Sequence, residues 1–154
     1  MEDKTGHQGE EGAMRSTSWW MFGLAVVVAL AFGIRAAAAA DMGYADELKT
    51  AIFHSGLAQK YDTMKEVGLH LHHVVNCIVG PDDPMFDKTA GNPCQGQGKG
   101  LLVDMKAKMG QDKAYYVAWW VAHMADDAIK MGNLDQAKAA GAVAETQLTA
   151  LSKM

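Results

Sequence analysis

From residue 41 onward, apolar side chains recur at the three-to-four-residue spacing of helices, and runs of β-branched residues stay short. Alanine, leucine, lysine, glutamine and methionine dominate, all of them favourable in helices. The pattern predicts four helical segments. The first covers about 45–60, with Gly56 weakening its second half. The second opens at Thr63-x-x-Glu66, where the two side chains can satisfy backbone N–H groups at the helix start, and stops near Val79 because Gly80-Pro81 follows. Val67, Leu71, Val74 and Ile78 are spaced to form its core stripe. A third stretch begins near Leu101, is punctuated by Gly110, and continues from about Asp112 to Met131, with Val117, Val121, Met124, Ala128 and Met131 as its apolar stripe. The fourth runs from about Leu134 to Leu151 after a capping Gly132. Its Ala137, Ala140, Gly141 and Ala144 make a small-residue face suited to close packing.

Between the second and third segments lies GPDDPMFDKTAGNPCQGQGKG (Gly80 to Gly100), which holds all three prolines of the chain and reads as an irregular loop. Short connections between the first and second helices, and between the third and fourth, favour antiparallel hairpins. The expected fold class is therefore all-α: a small antiparallel four-helix bundle with one long disulfide-tethered loop between helices 2 and 3, preceded by an N-terminal signal or hydrophobic segment.

That segment has a pattern of its own. Trp19 to Ile34 is uncharged and apolar, Arg35 follows, and Ala38-x-Ala40 precedes Asp41, the layout of a secretory signal cleaved after Ala40. The leading residues Met1 to Glu11 are acidic, whereas a start at Met14 would place Arg15 before the apolar run as an ordinary signal does. The expected organisation is a signal peptide at 1–40 and a helical-bundle domain at 41–154. The alternative is an uncleaved anchor facing the periplasm, although the run is near the short end for a bilayer core of about 30 Å. Either way the domain is expected outside the cytoplasm, periplasmic or secreted, with the membrane touched only through this segment.

An exported domain with two cysteines most simply joins them, here Cys77 to Cys94. Closing that loop should stabilise by about 3 kcal/mol in the chain-entropy picture.

Charge and motifs then exclude several classes. Fourteen basic against eighteen acidic residues, with no basic block, argue against nucleic acid as a partner. In GQGKG (Gly96 to Gly100), Lys99 is followed by glycine instead of Ser or Thr and no strand precedes it, so it is no phosphate loop. The chain has no Cys-x-x-Cys-His for covalent haem and no Ser-His-Asp or Cys-His nucleophile arrangement, so no enzymatic activity is expected.

The histidines carry the remaining chemistry. On the second helix, Glu66, His70, His73 and Cys77 fall on one face, while His72 points elsewhere with Lys65 and Asn76. Two imidazoles and a carboxylate so placed can share one ion. On the third, His123 lies in line with Tyr116, Trp120 and Asp127, and the Asp127 carboxylate can hold the imidazole N–H. His54 faces inward if the first helix continues through Ser55. The expected ligand set is His70, His73 and His123, completed by His54 or Glu66. Such a set suits copper, zinc, nickel or iron, with affinity falling as pH drops through about 6. Non-covalent haem, with His123 or His73 as an axial ligand, is the alternative cofactor. Tyr115, Tyr116, Trp119 and Trp120 are expected to fill the core and the helix interfaces. Met85 and Phe86 are expected to be exposed on the loop 80–100, as a contact for an exported protein partner. The reading is a small exported metal-binding carrier, buffer or accessory protein, with haem binding or an interaction module as alternatives.

Overall fold

Side-chain caps open three of the helices. We describe residues 44–110 and 112–154 from a computed structural model; the candidate signal segment and its cleavage site lie outside the described residues. Helix α1 covers 44–58, α2 Met64–Val79, α3 Leu101–Met109, α4 Lys113–Met131 and α5 Leu134–Leu151. Thr63, Asp112 and Asn133 cap α2, α4 and α5 by accepting the N–H of Glu66, Tyr115 and Gln136, each cap stabilising by about 1 kcal/mol. The protein is an all-helical bundle with no strand among the described residues. Where four helical segments were expected there are five helices among the described residues, because Gly110, at φ +75°, ends α3 before α4 begins.

The predicted stripe of α2 (Val67, Leu71, Val74 and Ile78) is wholly buried, and α2 packs against α3, α4 and α5. Helix α4 departs from its predicted stripe. Its buried face is Ala114, Ala118, Val121, Ala122, Ala125 and Ala128, while Met131 is 64 % exposed. Trp119 and Trp120 are nearly half exposed, which corrects the expectation that they fill the core; Tyr116 is exposed as well, and of the four only Tyr115 packs against the core. The reason is steric. Alanine lets α4 lie close to α2 and α5, and an indole on that face would hold the helices apart. On α5 the predicted small face is buried as expected. A Cβ on Gly141 would stand 3.0 Å from the Ala58 Cβ and 3.1 Å from the Ser55 carbonyl, so α5 reaches the backbone of α1.

The loop 80–100 is tied down along its length. Cys77 and Cys94 form the expected disulfide. The buried Asn76 side chain donates to the carbonyls of Asp87 (2.8 Å) and Gly91 (2.7 Å) and accepts the Asp87 N–H (2.8 Å). At the loop's far end Thr50 Oγ1 donates to Gln97 Oε1, and Glu47 Oε1 accepts the Gly100 N–H at 2.7 Å. The loop's two ends cross where only glycine fits. Gly80 has φ +81°, and a Cβ there would lie 1.9 Å from the Lys99 carbonyl oxygen. These ties turn Met85 and Phe86 inward, partly buried against the core. The expected exposure at a loop tip is thereby corrected: both side chains are only partly exposed and pack in part against the protein's own core. No helix among the described residues is long and apolar enough to cross a membrane.

Candidate metal centre

Helix α1 remains helical through Ser55, whose hydroxyl bonds back to the Ala51 carbonyl, and this carries His54 toward α2. There His70 and His73, one turn apart, meet it. His54 Nδ1 lies 3.1 Å from His70 Nδ1 and 3.3 Å from His73 Nδ1. One ligand atom from each of the three residues falls within 4.8 Å of the others. The rings cluster with them: the His54 and His70 rings stack with centroids 5.3 Å apart, and His73 meets His54 edge-on at 4.5 Å. Tyr61 stacks on the His70 ring at 5.0 Å, and the Phe53 ring stands at 5.4 Å from His54.

One tautomer follows from the geometry. His73 Nε2 lies 2.8 Å from the Ala90 carbonyl oxygen. A carbonyl can only accept, so Nε2 carries the proton, and in the neutral ring Nδ1 presents a lone pair. His54 Nδ1 faces that lone pair and His70 Nδ1 together. A single proton on it cannot bond both neighbours well, whereas a cation among the three nitrogens would engage every lone pair. Both separations lie in the range set by one ion's ligands: nitrogens 2.0–2.1 Å from a metal stand about 2.8–3.0 Å apart at right angles and about 3.3–3.4 Å apart at the tetrahedral angle.

The electrostatics disfavour protonation of His54 and His70. Burial, followed by the charges of His73 and His70, lowers the His54 pKa to about 4. Burial and then His73 also lower that of His70, against the opposing pull of the Glu66 carboxylate. Neutral imidazole is the form that ligates.

The remaining predicted residues sit elsewhere. The Glu66 carboxylate accepts the Thr63 hydroxyl at 2.7 Å and belongs to the start of α2. His123 is outside the cluster, on the far side of α4's sequence pattern from the alanine face. It lines a groove of about 730 Å³ with Trp119, Trp120, Met124, Met131 and Val143. Its ring lies 4.1 Å from that of Trp119. Asp127 lines the same groove, and no hydrogen bond joins it to His123. The structure thus brings together His54, His70 and His73, three of the five predicted ligands, and leaves out His123 and Glu66.

Sequence reasoning missed what holds the loop to α2. His72 Nδ1 stands 3.4 Å from the Asp87 carboxylate, and Asn76 bonds the backbone on both sides of Ala90. The face assigned to His72 and Asn76 was a usable clue, since it runs up to the cysteine that starts the tether. The Ala90 carbonyl left no trace in the sequence, because any residue supplies one.

No known protein family matches the chain, and neither a curated protein nor a solved structure matches it.

Proposed function

We propose that this chain is an exported protein that binds a transition-metal ion through His54, His70 and His73, as a carrier or buffer. The observation that carries the reading is the meeting of three Nδ1 atoms at 3.1 and 3.3 Å, one of them fixed as a lone pair by the Ala90 carbonyl. The separations of 3.1 and 3.3 Å fall between those of adjacent nitrogens around a square-planar ion, about 2.8–3.0 Å, and around a tetrahedral one with bonds of the same length, about 3.3–3.4 Å, so copper(II) and zinc both suit the site. Three neutral ligands leave the ion's charge uncompensated and a tetrahedral shell one position short. Such a site can accept a further ligand and release its ion, as delivery requires. Export rests on the apolar run before Ala40 and on the disulfide.

Calorimetric titration of residues 41–154 with zinc and with copper(II) tests the assignment. One ion per chain is expected, with binding at least a hundredfold weaker in His70→Ala/His73→Ala and unchanged in His123→Ala. Binding unaffected by the double substitution removes the reading.

A second reading has its own observation. His123 is an imidazole in an otherwise largely apolar groove walled by Trp119 and Trp120, a setting suited to non-covalent haem with His123 as one axial ligand. It predicts a Soret band when haem is added, abolished by His123→Ala; no band at micromolar protein ends it.

A further inference from the structure

Four residues of α2 grip the loop between Asp87 and Cys94. His72 meets Asp87, His73 meets Ala90, Asn76 meets Asp87 and Gly91, and Cys77 is bonded to Cys94. Only one of these contacts touches a ring of the histidine cluster: the Ala90 carbonyl on His73 Nε2. The others bracket it. Asn76, 1 % exposed, binds backbone three residues before Ala90 and one after it, and the disulfide closes the loop four residues beyond.

We propose that Asn76 is a positioning residue of the metal centre. By pinning Asp87 and Gly91 it holds the Ala90 carbonyl at His73 Nε2, and this keeps Nδ1 free of its proton and aimed at the ion. The inference rests on the metal-binding reading above. A neutral imidazole has two tautomers, and only one presents Nδ1 to a metal. Without the carbonyl, His73 populates both and rotates, so binding must first select tautomer and orientation. Removing a group that orients a histidine ligand typically lowers metal affinity 10–100-fold. The loop, irregular and rich in proline and glycine, thereby has a role at a site to which it contributes no ligand side chain.

The test uses residues 41–154 with imidazole-nitrogen NMR of the metal-free protein and zinc titration. In the wild type, His73 is expected as the Nε2–H tautomer. Asn76→Ala should give a mixed tautomer signal and zinc affinity 10–100-fold weaker, with the helical circular dichroism retained. Thr50→Val is the control: it frees the loop's far end at Gln97 and should leave both readouts unchanged. Asn76→Ala with wild-type affinity overturns the proposal, as does a loss of the same size in Thr50→Val. If Asn76→Ala does not fold, the wild-type spectrum decides: His73 protonated on Nδ1 contradicts the proposal. Failure of the wild type to bind any ion would instead remove the function proposed above, while the tautomer would still report on the loop.

Discussion

Replacing His54 by glutamine should flatten the acid side of the protein's stability curve. In the folded chain, burial and two neighbouring imidazoles hold the His54 pKa at about 4, against about 6.5 when unfolded. Between these values the unfolded chain binds a proton that the folded chain refuses. Stability from this group is therefore complete above about pH 6.5 and is lost as pH falls toward 4. At full weight the loss between pH 7.5 and pH 5 would be about 2 kcal/mol. The ring is only partly buried, and solvent screening reduces this to about 1 kcal/mol. Urea unfolding with a chelator present, at both pH values, measures it. The comparison must be of wild type with His54→Gln, since other groups titrate in the same window and cancel only in the difference. The stability gap between the two proteins should narrow by about 1 kcal/mol at pH 5. A gap that stays constant, or widens on acidification, would refute the placement of His54 among the other two rings.

Glu47 should show the opposite sign. Burial raises its pKa to about 7, against the Gly100 N–H and helped by the neighbouring Asp104 carboxylate. Stability is thus lost as pH rises from about 4.5 to 7, so Glu47→Gln should stabilise by about 2 kcal/mol at pH 8 and scarcely at pH 4.5; equal effects at both pH values would exclude this. Gly80→Ala should destabilise by at least about 3 kcal/mol, because positive φ and a backbone clash combine, and a smaller loss in urea unfolding would contradict the crossing of the loop ends. Gly141→Val should lower stability by about 2 kcal/mol through contact with Ala58 and the Ser55 carbonyl, read as a fall in melting temperature. Serine at both Cys77 and Cys94 should cost about 3 kcal/mol, checked by the same unfolding experiment.

The sequence was most legible where one physical rule decided the outcome. Helix α2 shows its cap at Thr63, its stop at Gly80 and its buried stripe at Val67, Leu71, Val74 and Ile78, since branched and long aliphatic residues at helical spacing have no competing reading. Helix α4 misled because size was taken for burial. Its core face is alanine, chosen by how closely α2 and α5 approach, and the indoles of Trp119 and Trp120 were left on the outside. The same error placed His123 with the metal ligands, whereas it belongs to the groove those indoles line. His70 and His73 were legible as a pair from their spacing. That both meet His54 depends on how α1 lies against α2, and periodicity within single helices does not contain that relation. The loop's folding onto the core was unreadable for a related reason: Asn76 recognises backbone, and backbone has no sequence signature.

X-ray absorption at the zinc edge, on residues 41–154 loaded with one equivalent of zinc, addresses the metal centre most directly. Three imidazole nitrogens from His54, His70 and His73 should scatter at 2.0–2.1 Å, falling to one when His70 and His73 are replaced by alanine. A first shell of oxygen alone, or an imidazole count that the double substitution leaves unchanged, would contradict the assignment of these three rings as the site.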